Sequence, residues 1–347
     1  MPPEKFDPIA FAYQNIRGVP FYMNFEYTFN WVTPMTIADL LWNIIGTLIF
    51  IQIPLFYFKN KQKIKKIGLR LDVFQSFLLM QIWNILMLIG EFLMFRIPFT
   101  GIFTNYCANN NPQILLRFTV FFFHWVHYSA QLFTLLFCSL RVAILYSNSN
   151  KEKEKFFYYL IPSFIIFPIL ASVPHLVTEG LCLEQPYPFG SILILSRFHG
   201  DNRVGFEKKG YSKMQNIMLQ SKTAFANFVF TAIVTCTIIG LNISMFWKLW
   251  KRKKSPAGQS QSSQNQKVAR TLTGTMIIML IPLIVYQCSA TAEIVPNNYL
   301  SVILICSAIA GDIRVHTVTC YFYFTHPVFK EQGMTRKVDV TQRVTVS

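Results

Sequence analysis

The sequence predicts an all-α membrane protein, a bundle of seven transmembrane helices with its N-terminus outside and its C-terminus in the cytoplasm. Three observations carry that prediction. Seven apolar stretches, 36–58, 71–94, 114–138, 156–178, 223–247, 271–292 and 299–324, take up nearly half of the 347 residues. Charged residues make up only 14% of the chain, whereas a soluble domain carries about 25%. The basic residues, 32 Lys and Arg against 16 Asp and Glu, gather in segments that flank the apolar stretches.

Each stretch holds 22–26 residues, and about 20 suffice for a helix to cross the hydrocarbon core. In lipid the backbone must satisfy its own hydrogen bonds, which isolated runs of this length do only as helices. A barrel would need shorter segments of alternating hydrophobicity, and the sequence has none. The third stretch is the least sharply bounded, because apolar character continues through Val142–Tyr146 past Arg141. A single long, tilted helix is expected there. Pro54, Pro162, Pro168, Pro174 and Pro282 fall inside apolar runs, where spanning helices accommodate them as kinks.

Charge sets the orientation. If 59–70, 139–155, 248–270 and 325–347 are cytoplasmic, they hold 21 Lys and Arg over 75 residues, against 9 over 104 in the other connecting segments. Positive residues stay on the cytoplasmic side. Residues 1–35 are then an extracellular segment, 36–324 the membrane domain and 325–347 a cytoplasmic tail. The chain opens Met1-Pro2-Pro3-Glu4 without a basic region and short apolar run, so the first stretch is expected to act as its own signal. Basic residues so placed suit anionic membrane lipid. No zinc-finger spacing or soluble basic domain points to nucleic acid.

Of seven cysteines, only Cys107 and Cys182 fall in predicted outer loops. A disulfide between them would tie the long outer loop to the start of the third helix; two unpaired thiols are the alternative. Charged residues inside spans are functional candidates by default. Asp39 and Asp72 lie near helix ends, where water can solvate them. Glu91 and Arg117 fall near the outer ends of neighbouring helices and are expected to pair with each other or to meet a ligand. Asp312 and Arg314, two residues apart, do not share a helix face, so each needs its own partner.

The third stretch carries His124-Trp125-Val126-His127-Tyr128, with both histidines on one face near mid-membrane. An HxxH pair suggests a metal, but a metal site usually needs three or four ligands, and hydrogen bonding between helices is the preferred reading. No metal or other cofactor is expected. If these side chains line a cavity, His124, His127, Tyr128 and, from the sixth helix, Tyr286 are candidate contacts for a small ligand. No P-loop, dinucleotide glycine pattern or nucleophile elbow is present.

Seven helices, an outer cysteine pair and basic inner loops resemble a G-protein-coupled receptor. The common motifs of the rhodopsin-like group are largely missing. The third helix ends Cys138-Ser139-Leu140-Arg141-Val142, and the seventh exits through Tyr323-Phe324-Thr325-His326-Pro327. The pre-membrane segment Ile16-Arg17-Gly18-Val19-Pro20-Phe21-Tyr22-Met23-Asn24-Phe25-Glu26-Tyr27 resembles that of nematode serpentine chemoreceptors, and is most similar to class U of the gamma superfamily. The resemblance implies a chemosensory receptor, not an enzyme, at the plasma membrane of sensory neurons and in their cilia. It would bind a small molecule and couple to a heterotrimeric G protein. Arg141 would meet the G protein, with Lys251, Arg252 and Lys253 as further basic contacts. A transporter or channel is the competing reading, and a metal-dependent membrane enzyme using His124 and His127 a more distant one.

Overall fold

In the computed structural model the described residues are 15–66, 71–146, 151–185, 190–197, 212–253, 300–325, Phe329 and most of 271–291. A short helix α1 (Pro20–Met23) precedes the long α2 (Val32–Lys66). Helix α3 (Leu71–Glu91) runs on through a π-turn, Phe92–Arg96, and a last α-turn, Ile97–Phe99. Then come α4 (Thr104–Asn110), α5 (Gln113–Tyr146), α6 (Lys151–Ser172) and the single turn α7 (Pro174–Val177). Strands β1 (Glu179–Glu184) and β2 (Ile192–Arg197) form an antiparallel hairpin. Helices α8 (Ser212–Lys253), α9 (Thr273–Val285) and α10 (Leu300–Thr325) complete the described chain.

Six of these helices are long and apolar enough to cross a membrane: Val32–Asn60, Val73–Phe99, Gln113–Tyr146, Tyr158–Val177, Phe228–Lys248 and Val302–Thr325. Helix α9 adds a shorter apolar helix in the sixth stretch. The third stretch is indeed one 34-residue helix. Pro54, Pro162 and Pro168 sit within helices. Pro174 behaves differently: the helix breaks at Val173 and Pro174 opens the new turn α7. Pro282 lies outside the described residues.

Helix α5 is the hub, packed against α3, α6, α7, α8 and both strands, while α10 joins α2 to α3. Lipid offers no hydrophobic gain for helix pairing, so close packing must hold the bundle together. Aromatic rings supply much of it. Phe77 of α3 stacks on Phe322 of α10 at 3.9 Å and meets Phe137 of α5 edge-on at 5.9 Å. Further along α3, Trp83 stacks on Phe133 at 5.6 Å and meets Trp125 edge-on. Such pairs contribute about 0.5–1.5 kcal/mol each beyond area burial.

One end of the bundle is covered by the hairpin. The amide of Ile16 donates to the Cys182 carbonyl and that of Gly18 to the Ala108 carbonyl, both at 3.1 Å. Asn15 bridges Leu183, extending the hairpin by one contact. The side-chain amides of Asn105 and Asn109 on α4 donate to the Met23 carbonyl at 2.8 and 3.0 Å. Ile16, Tyr22, Met94, Cys107, Leu116, Val120, Phe123, Cys182, Ile192 and Ile194 share an apolar cluster here. The pre-membrane segment is therefore part of the packed structure.

Strand β1 approaches α5 closely. The Gln113 amide donates to the Gly180 carbonyl at 2.8 Å, and the Gly180 amide donates back to Gln113 Oε1 at 2.9 Å. A Cβ at Gly180 would lie 2.5 Å from the Leu116 Cβ. Gly180→Val is therefore expected to lift β1 off α5 and to lower stability by about 1–3 kcal/mol. A fall in Tm of the detergent-solubilised protein checks this; an unchanged Tm would show that the strand is not held on Leu116.

Candidate functional site

Two polar clusters lie inside the apolar bundle near its hairpin end. The first is built on the sequence Glu91-Phe92-Leu93-Met94-Phe95-Arg96. In an α-helix a residue five positions on lies about 140° around the axis, so Glu91 and Arg96 should diverge. The π-turn has i→i+5 hydrogen bonds and brings the two side chains onto one face. The Arg96 guanidinium is buried, 4.0 Å from the Glu91 carboxylate, 3.5 Å from Asp39 on α2 and 2.5 Å from Asp312 on α10. It also donates to the Ala308 carbonyl at 2.9 Å and lies 5.4 Å from the Phe92 ring centroid. Arg96 thereby cross-links three helices.

This corrects the expected pairing. The cation beside Glu91 is Arg96, not Arg117, which stays partly buried where β1 passes over α5. Asp39 joins the same cluster with a side chain only 20% exposed. Asp312 and Arg314 do diverge: Asp312 meets Arg96, and Arg314 donates to Thr134 Oγ1 of α5 at 2.8 Å. Beside the cluster, His316 Nε2 and Asn43 Oδ1 are 2.5 Å apart. The His316 ring occupies the space that a side chain at Gly46 would need.

The second cluster lies along α5. The His124 ring stacks on His175 of α7, centroids 4.2 Å apart and planes 9° from parallel. His175 Nδ1 lies 2.5 Å from Ser196 Oγ on β2. One turn along, the Gln131 amide donates to His127 Nε2 at 2.8 Å and to Thr231 Oγ1 on α8 at 3.3 Å. Tyr128 meets Phe230 edge-on at 5.0 Å. The helix break before Pro174 gives His175 its place, and the spacing of histidines along the chain gave no sign of it. Ring nitrogens ligate in the plane of the ring, so two parallel stacked imidazoles cannot aim at one ion. Among the described residues no group of three or more His, Cys, Asp or Glu is arranged to hold a metal. Tyr286 lies outside the described residues.

At the hairpin itself, Cys107 and Cys182 are buried side by side. Both are thiols here, and a hydrogen bond between them holds Cys107 below the usual range and pushes Cys182 above it. Tyr22 hydrogen-bonds to Glu184; burial pushes both groups up, most strongly for Tyr22.

At the opposite end, Arg141 is buried among apolar neighbours on α5, and its Nη1 has no hydrogen-bond partner among the described residues. Lys251 is exposed near the end of α8, while the side chains of Arg252 and Lys253 are outside the described residues. The ring of Tyr146 receives Lys248 at 4.9 Å, and its hydroxyl donates to the Ser244 carbonyl at 2.9 Å. This joins the far ends of α5 and α8.

An all-helical bundle of apolar spans, with its polar groups turned inward and one end under a hairpin, is a multi-pass membrane protein. The chain belongs to the Sru family of serpentine type 7TM GPCR chemoreceptors, whose family model matches residues 16–332. It is 24% identical over 278 residues to serpentine receptor class U-26 of Caenorhabditis elegans, covering 78% of this chain and 87% of that relative. The family is one of receptors, not enzymes. Its matched region begins at Ile16, the first residue of the pre-membrane segment.

Replacing Arg96 would leave three carboxylates facing one another in a desolvated site. Arg96→Gln is expected to destabilise the bundle by about 3–5 kcal/mol, and Arg96→Gln combined with Asp312→Asn by clearly less. Thermal unfolding in nanodiscs measures both, and additive losses would show that the two residues do not act as a pair.

Proposed function

We propose that this protein is a G-protein-coupled chemosensory receptor that binds a small organic ligand within the helix bundle. The hairpin end faces outside the cell in this reading, and the opposite end faces the cytoplasm. The observation that carries the proposal is the family match, which spans every described membrane helix. The excess of Lys and Arg in 59–70, 139–155, 248–270 and 325–347 supports the orientation.

The ligand meets the polar face of α5, with His124, His127 and Tyr128 as contacts and Tyr286 of the sixth stretch as a further one. Glu91 and Arg117 flank that space nearer the hairpin. Binding shifts the receptor between two helix packings, and does so only to the extent that it favours one of them. The packing it favours presents Arg141, Lys251, Arg252 and Lys253 to a heterotrimeric G protein. The plasma membrane, and the sensory cilium within it, is the proposed location.

Epitopes on each terminus test the orientation. The N-terminal epitope is expected to be accessible on intact cells, the C-terminal one only after permeabilisation. With that established, a ligand screen read through G-protein activation tests signalling. Two cytoplasmic termini would overturn the receptor reading in favour of a transporter.

In the oxidising space outside the cell, Cys107 and Cys182 are proposed to join as a disulfide. Neither cysteine should then take up an alkylating reagent in denatured protein until a reductant is added. Alkylation of both without reduction would show them to be free thiols, and Cys107→Ser is expected to cost about 2–4 kcal/mol of stability if they are joined.

A further inference from the structure

His175 serves none of the roles assigned so far, and its ring stacks on that of His124, one of the proposed ligand contacts, so that the pair joins three elements. His124 belongs to α5, His175 to the turn after α6, and Ser196, against His175 Nδ1, to β2. We infer that this stack is a proton-binding site through which acid releases the hairpin from the helix bundle.

Geometry carries the inference. Two parallel rings with centroids 4.2 Å apart can stack as neutral imidazoles. If both became imidazolium, two positive charges would face each other inside a buried site, where opposing charges act at low dielectric. Both rings are buried, and His124 Nδ1 has no hydrogen-bond partner among the described residues. A proton arriving at that nitrogen would find no neighbouring anion among the described residues.

The charged surroundings point the same way. On α5 the ring neighbours of His124 are Phe123 and Tyr128, and the titratable groups beside it are His175 and His127. The charge reaching His127 is that of Arg314 on α10. From α8 the ring of Phe230 packs on Tyr128, with no charge. Several described carboxylates of this end have other partners: Glu91, Asp39 and Asp312 meet Arg96, Glu179 meets Arg17 at 3.8 Å, and Glu184 meets Tyr22. On the hairpin, Glu179 lies opposite Arg197 in the strand register.

The consequence follows from linkage. The latched state excludes protons that the released state accepts, so it holds at neutral pH. It gives way as pH falls through the range of a free imidazole, about 6.5. Release moves β2 away from α7 and uncovers the polar face of α5, so acid acts on this protein as a ligand in its own right. That the acid is extracellular rests on the orientation proposed above; the release itself does not.

The test uses the full-length protein in lipid nanodiscs, where both faces meet the same buffer. Hydrogen exchange of hairpin peptides is measured at pH 7.5 and pH 5.5 and expressed as protection factors, which removes the intrinsic pH dependence. In the wild type, protection over 179–184 and 192–197 is expected to fall about tenfold per pH unit for each proton taken up, while peptides around Phe77 and Phe137 keep theirs. His124→Phe with His175→Phe keeps two stacked rings but removes the protons, and should abolish the change. His175→Phe alone, which leaves one titratable ring, serves if the double variant does not fold and should blunt it. Equal protection at both pH values in the wild type, an equal loss in the variants, or a loss spread over the whole bundle would each overturn the inference. None of these readouts involves a ligand screen or a G protein, so they stand apart from the test of receptor function.

Discussion

The burial of Arg96 constrains much of this structure. A guanidinium loses its hydration on entering a membrane interior, and that loss must be offset by close, well-directed partners. Here the partners come from α2, from one turn earlier in its own helix, and from α10. None of the three helices can shift far without separating charges in a medium where separation is costly. The π-turn belongs to the same constraint, since it alone places Glu91 and Arg96 on a shared face. The cluster fixes the helix ends beneath the hairpin, so the N-terminal segment, α4 and the strands have a rigid floor to pack on.

Away from that cluster, cohesion changes in kind. Toward the opposite end the contacts are aromatic and undirected, with Phe77, Phe322 and Phe137 filling the space between α3, α5 and α10. Stacked rings can slide by an ångström at small cost, whereas an ion pair of 2.5 Å cannot. The bundle thus has a stiff end and a compliant end, joined by α5. That division suits a protein that recognises a molecule at one side and changes shape at the other. Buried Arg141 lies toward the compliant end, where modest helix movement would expose it.

The sequence made the fold legible because membrane spans announce themselves by length and composition. Seven apolar stretches, the long third helix and the separate fates of Asp312 and Arg314 could all be read from spacing. The site was read less well, and the reasons are local. Arg96 falls just beyond the second apolar stretch, 71–94, and no composition signal marks the π-turn that carries the helix on to it. Asp39 looked solvated because its partner Arg96 lies 57 positions away, a relation that periodicity does not carry. His175 forms no cluster with the other histidines in the sequence; the break before Pro174 is what brings its ring onto His124. The HxxH pair was recognised as a feature, but its third member came from tertiary structure.

The close contact of α2 with α10 bears on how the protein is made. Of the described spans α2 is the earliest in the chain and α10 the latest, yet Gly46 receives His316, and Asn43 its ring nitrogen. Until α10 has been synthesised, α2 lacks the surface it is shaped to meet. Asp39 and Glu91 can hold Arg96 in the meantime, which gives the half-built chain a provisional clasp. Asp312 then completes it. A nascent chain that stops before α10 lacks Asp312 and leaves the ring of contacts around Arg96 open.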